Sequence, residues 1–97
     1  MQVIWDEEKN TLLKSTRNIS FEDIESAILN DNILDIIPHH NAQKYPTQEL
    51  LIIEFAGYVY YVPFILNEDA LVLKSVIPSP KLTKKYKKDW LCIPKKS

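Results

Sequence analysis

The run Leu50-Leu51-Ile52-Ile53, flanked by Glu49 and Glu54, constrains this chain more than any other feature. Successive side chains of a strand point to opposite faces, so four consecutive apolar residues predict a strand, Glu49 to Phe55, covered on both faces. A chain of 97 residues has room for one domain around such a strand, residues 1–97. Within it, Pro94 and the terminal lysines mark residues 91–97 as an expected frayed tail.

Turn residues divide the neighbouring sequence into further strands. Ala56-Gly57 holds the only glycine, placed where a tight hairpin needs positive φ. Tyr58 to Ile65 then returns as a strand, Asn67-Glu68-Asp69 turns, and Ala70 to Ile77 reads as the next. Upstream, Ile33 to Ile37 is a strand ended by Pro38, followed by a polar loop from His39 to Thr47.

The first third of the chain is helical in pattern. Gln2 to Trp5 reads as a short strand, and Asp6 caps a helix reaching Lys14 or Ser15, with Glu7 and Glu8 suited to its positive end. Ser20 and Asp23 form a capping box for a second helix. Ile19 and Ile24 supply its hydrophobic staple, and Phe21, Ile24, Ala27 and Ile28 its apolar face. Near the other end, Ser79-Pro80 signals a third helix, Lys81 to Trp90. The order is β-α-α-β-β-β-β-α. It predicts an α+β fold: an antiparallel sheet of four to five strands, two N-terminal helices packed on one face, and a short basic C-terminal helix.

Composition removes several classes. With 45% hydrophobic and 26% charged residues the chain is not disordered. Its lone cysteine, Cys92, excludes an intramolecular disulfide and a cysteine-based zinc site. No stretch has the 18 apolar residues that suggest a membrane span, and the opening Met1 to Asn10 lacks a signal pattern, so no membrane partner and a cytoplasmic location are expected. The formal charge of −1 conceals a segregation. Residues 1–80 carry five cations and twelve acids, net −7, whereas residues 81–97 carry seven lysines and Asp89, net +6. Such a basic end suits phosphate backbone or an acidic protein surface.

The segments Trp5-Asp6-Glu7-Glu8-Lys9-Asn10 and Ile19-Ser20-Phe21-Glu22-Asp23 resemble the opening of BrnT-type toxins, W-D-x-x-K-N followed by K-H-G-V-S-F-E-x-A, with no gap from Trp5 to Phe21. Val76-Ile77 and Thr83-Lys84-Lys85 are similar, more loosely, to the family's last strand and basic ending. The likeness covers residues 3–24 closely and 70–86 loosely. It implies a RelE-like toxin of a type II toxin–antitoxin pair: a metal-independent endoribonuclease that inhibits translation, needs no cofactor, and is masked by a ribbon-helix-helix antitoxin. DNA would be reached only through that antitoxin. The family's Lys-His-Gly falls on Thr16-Arg17-Asn18, and the first arginine of its ending on Pro80. The alternative is therefore a catalytically impaired protein of the same fold that binds RNA or the antitoxin.

RNA cleavage without a metal needs a group to take the 2′-hydroxyl proton, positive charge for the phosphorane, and a proton for the leaving oxygen. Arg17, the only arginine, stands on the family's histidine position; it suits phosphate but not proton abstraction. Lys9 matches the family's lysine and either touches phosphate or pairs with Asp6 or Glu8 on the surface. His39 and His40 are the only histidines. In extended chain they point apart and make a poor metal pair, and they serve as acid–base groups only if their loop folds over the site. Lys81, Lys84, Lys85 and Lys88 fall at i, i+3, i+4 and i+7, one helical stripe for RNA phosphates or an acidic antitoxin segment, or else a solvated face. Tyr58, Tyr60 and Tyr61 either stack bases or pack the hairpin.

Overall fold

The structure, a computed structural model, describes the backbone of residues 2–92 and side chains through Tyr86. The elements in chain order are β1 (Gln2–Ile4), α1 (Glu7–Arg17), α2 (Phe21–Leu29), β2 (Ile33–Pro38), β3 (Glu49–Phe55), β4 (Tyr58–Asn67), β5 (Ala70–Leu73), β6 (Ile77–Pro78) and α3 (Pro80–Cys92). The fold is α+β. Residues 93–97, most of the expected frayed tail, lie outside the described residues.

The sheet has six strands in the order β1-β5-β4-β3-β2, with β6 also paired to β4. It is mixed rather than wholly antiparallel. β1 lies parallel to β5, Val3 opposite Leu71, because both N-terminal helices and three strands separate the two segments and no hairpin constrains their direction. The expected single strand from Ala70 to Ile77 is two strands. Lys74, Ser75 and Val76 interrupt it, after which Ile77 and Pro78 pair with Tyr61 and Tyr60.

Strand alternation sorts the core into two layers, as the Leu50–Ile53 run demands. Leu51 and Ile53 join Val62, Phe64, Leu71 and Leu73 beneath α1 and α2, which contribute Leu13, Phe21, Ile24 and Ala27. Leu50, Ile52 and Val59 face the other way and meet Leu82 and Tyr86 of α3. The third helix thus covers the face opposite the first two. Thr83, buried, fixes it there: its Oγ1 accepts from the Val59 backbone N–H at 2.9 Å and donates to the Val59 carbonyl at 3.3 Å.

Local signals act as their chemistry suggests. Asp6 accepts from the Glu8 N–H at 2.9 Å, and Ser20 and Asp23 form the reciprocal capping box. Ser79 Oγ accepts from the Leu82 N–H at 3.1 Å, starting α3 one residue earlier than expected, at Pro80. The β3–β4 hairpin places both Ala56 (φ 55°) and Gly57 (φ 79°) in the left-handed region, and Glu54 accepts from the Gly57 N–H at 2.9 Å.

Asn10 joins the first two helices. It is 0% exposed, its Oδ1 accepts from the Phe21 backbone N–H at 2.7 Å, and its Nδ2 donates to Glu22 Oε1 at 2.8 Å. The Phe21 N–H would otherwise be an unsatisfied helix-start donor inside the protein. Asn10→Leu is expected to lower stability by about 1–3 kcal/mol, read from the urea midpoint, because that donor and the Glu22 carboxylate lose their partner. An unchanged midpoint would show that the bond carries no net stability. The same bond to Asn10 is the main reason the Glu22 pKa lies below the ordinary 4.5.

Candidate functional site

A cleft of about 690 Å³ opens on the half of the sheet that α3 leaves uncovered. Its floor is Tyr61 and Pro63 of β4 and Val72 of β5, its walls come from the N-terminus, the loop after β2, and the interruption between β5 and β6. The volume falls in the range of about 300–1,000 Å³ typical of small-ligand pockets.

Three of the four catalytic candidates meet here. Lys9, in the first turns of α1, lines the cleft with His39 and His40. Lys9 is exposed and makes no ion pair; among the described residues the only salt bridge is Lys14–Glu22, at 3.9 Å. The paired surface reading of Lys9 with Asp6 or Glu8 is therefore not what the side chain does. Trp5, also in the wall, is held from two sides: its Nε1 donates to Glu7 at 2.9 Å, and its ring stacks on Phe21 with centroids 5.7 Å apart.

The histidines do not point apart. Pro38 ends β2 and the chain turns at His40, so the two rings lie together with centroids 4.7 Å apart. His39 also packs on Tyr45 at 4.7 Å, and His40 meets Tyr61 edge-on at 5.7 Å. The loop is closed by its own backbone: the Tyr45 N–H donates to the Asn41 carbonyl at 3.0 Å. The Asn41 N–H donates to His39 Nδ1, also at 3.0 Å. Removal from water among these rings, and then the nearby His40, lower the His39 pKa below the ordinary 6.5. An unfolded chain therefore binds a proton at His39 more readily than the folded one. The contribution of His39 to stability is present above pH 6.5 and is lost as pH falls through the lower folded-state value. The urea midpoint is expected to decline as pH falls from 6.5 through that value, and to decline less in His39→Asn; equal declines would remove His39 as the cause.

Arg17 lies outside the cleft. Its Nη1 donates to the Val76 carbonyl, tying the end of α1 to the interruption between β5 and β6. Val76 is buried in the helix-covered core, while its neighbours Lys74 and Ser75 line the cleft. The Lys74 N–H donates to the Pro63 carbonyl at 2.8 Å, which fixes the near end of this segment. Arg17 thus holds part of the cleft wall without entering it. Arg17→Ala is expected to cost about 0.5–1.5 kcal/mol of stability, the net value of one hydrogen bond. Amide exchange checks this and should rise at residues 74–76; an unchanged pattern would show that the tie is dispensable.

Lys81, Lys84 and Lys85 are exposed on α3 and do not line the cleft. Lys85 Nζ lies over the Tyr86 ring, 5.5 Å from its centroid. Lys88 is within α3, but its side chain falls outside those described. Tyr60 packs against the helix-covered core, and Tyr61 packs against the layer beneath α3 and also floors the cleft.

Lys74, Ser75 and Tyr45 are cleft residues that the sequence did not single out. Lys74 read as one more strand residue. The usable signal was Ser75, a poor strand former beside it. Among the described residues no group of three or more His, Cys, Asp or Glu side chains could hold a metal, and no helix is long and apolar enough to cross a membrane. Compared with protein-family models, curated proteins and solved structures, the chain has no match.

Proposed function

We propose that the cleft binds single-stranded RNA and cleaves it without a metal, and that the protein is the toxin of a toxin–antitoxin pair. The observation that carries the chemistry is the gathering of His39 and His40 with Lys9 and Lys74 around one cleft. An imidazole takes the 2′-hydroxyl proton at neutral pH. The 2′-oxygen attacks phosphorus, the bond to the 5′-oxygen breaks, and that oxygen leaves protonated. Lys9 and Lys74 offset the extra charge on the phosphorane. Trp5, Tyr45 and Tyr61 offer ring surface on which unpaired bases stack, which favours a single strand over a duplex.

The toxin reading rests on the resemblance of residues 3–24 and 70–86 to BrnT-type toxins, and a ribbon-helix-helix antitoxin is the partner it implies. Lys81, Lys84, Lys85 and Lys88, on the far helix, then serve the antitoxin or a longer stretch of RNA backbone. A protein of this fold that binds RNA without cutting it is the second reading, favoured by the family's histidine position being Arg17.

Expression of the chain alone should arrest growth, and the variant carrying His39→Ala and His40→Ala should not. Arrest by both proteins would separate toxicity from the cleft. Binding to a uridine oligonucleotide should weaken with salt. The paired Lys9→Gln and Lys74→Gln substitutions are expected to reduce the slope of log K against log salt by about 1.4, at roughly 0.7 per phosphate contact on a single strand. An unchanged slope would place the RNA elsewhere, with α3 the next surface to test.

A further inference from the structure

Two adjacent histidines in one cleft suggest an acid and a base, but their surroundings differ in a way that gives them separate tasks. His39 Nδ1 accepts the Asn41 backbone N–H at 3.0 Å. A nitrogen that accepts carries no hydrogen, so the neutral ring has its hydrogen on Nε2. Protonating this ring would put a second N–H against the Asn41 N–H and break the bond. The ring is also held between His40 and Tyr45, each 4.7 Å away by centroid. His40 makes no side-chain hydrogen bond among the described residues, is exposed, and touches Tyr61 only through the ring edge. One of its nitrogens is therefore open to accept a proton from a bound ligand.

From this we infer that His39 is a fixed neutral Nε2–H donor that holds a phosphate oxygen, and that His40 alone moves protons. The inference rests on the ribonuclease reading for its ligand, but the tautomer it assigns belongs to the free protein. In the reaction, His40 takes the 2′-proton as the 2′-oxygen bonds to phosphorus. The phosphorus bond to the 5′-oxygen breaks, water protonates that oxygen, and the hydroxide so formed takes the proton back from His40. The products are a 2′,3′-cyclic phosphate and a 5′-hydroxyl, and every group returns to its starting state. His39 keeps its hydrogen throughout and acts by donating it in a hydrogen bond, whereas a general acid would give the proton up.

The charged and titratable groups around the pair are Asp6 and Lys9 from the start of α1, Lys74 from the interruption after β5, Tyr61 from β4 and Tyr45 from the loop itself. The His39 pKa is lowered first by loss of water contact and then by His40.

The test is nitrogen-15 NMR of both imidazoles in the full chain, titrated from pH 8 to 5, beside cleavage assays of a labelled single-stranded RNA. At pH 8 His39 is expected as the Nε2–H tautomer. Asparagine can accept the Asn41 N–H through Oδ1 and donate through Nδ2, so His39→Asn should cleave at least tenfold faster than His39→Leu. The rate–pH profile of His39→Asn should keep the inflection of the parent protein, and His40→Asn should lose it. An Nδ1–H tautomer at His39, or an inflection kept by His40→Asn, overturns the division of tasks even if RNA is cut. The expected tautomer in a protein that cuts no RNA leaves the assignment standing and removes the ribonuclease reading instead.

Discussion

Joint replacement of His39 and His40 by alanine is expected to slow RNA cleavage by about 10²–10⁴, the usual contribution of positioned acid–base groups. The fold should survive. Neither ring belongs to the helix-covered core or to the smaller layer beneath α3, and both sit in a loop held by its own backbone bonds. Surface changes of this kind usually alter stability by no more than about 0.5 kcal/mol. A loss of rate with an unchanged urea midpoint therefore assigns the loss to chemistry. Equal rates for parent and variant would remove the histidines from the reaction, and a collapsed midpoint would move the explanation to folding.

Phe21→Ala is expected to have the largest effect on stability, about 3–5 kcal/mol, from lost burial and the cavity left behind. Phe21 is 0% exposed and sits where the capping box, Asn10 and both N-terminal helices converge. A domain of this size has only about 5–15 kcal/mol in all, so the variant should be marginal at 25 °C. The consequence extends to the cleft. Trp5 stacks on Phe21 and lines the wall on its other side, so truncation removes the surface that orients the indole. Phe21→Leu keeps most of the volume and should lose much less stability than the alanine variant. It should still disturb Trp5, visible as a change in indole fluorescence. A thermal midpoint within a degree of the parent for Phe21→Ala would show that this corner of the core is not close-packed.

The elements that the sequence made legible are those decided by neighbours along the chain. The capping box at Ser20 and Asp23, the serine–proline start of α3, and the hairpin at Ala56-Gly57 each depend on a few adjacent residues. The Leu50–Ile53 run was equally direct, since alternation must send Leu51 and Ile53 one way and Leu50 and Ile52 the other. What it did not say is which helix covers which face. That depends on Thr83 finding the Val59 backbone, a contact between residues 24 apart.

The cleft was only half legible for the same reason. Lys9, His39 and His40 were candidates by residue type, but their meeting depends on a turn after Pro38 and a mixed sheet that brings β1 beside β5. Lys74 was hidden because strand-like sequence on both sides of it conceals the break that Arg17 pins through Val76. Arg17 itself illustrates the limit. A lone arginine reads as a phosphate ligand, and in the fold its guanidinium holds a backbone carbonyl.

The claim that the cleft cuts RNA is tested most directly by incubating the full chain, purified free of any bound partner, with end-labelled single-stranded RNA in the presence of a chelator. Fragments should appear that end in 2′,3′-cyclic phosphate and begin with 5′-hydroxyl, and their formation should depend on His40 and on Lys9 with Lys74. RNA left intact by a folded, partner-free protein, or fragments formed equally well by the cleft variants, would contradict it.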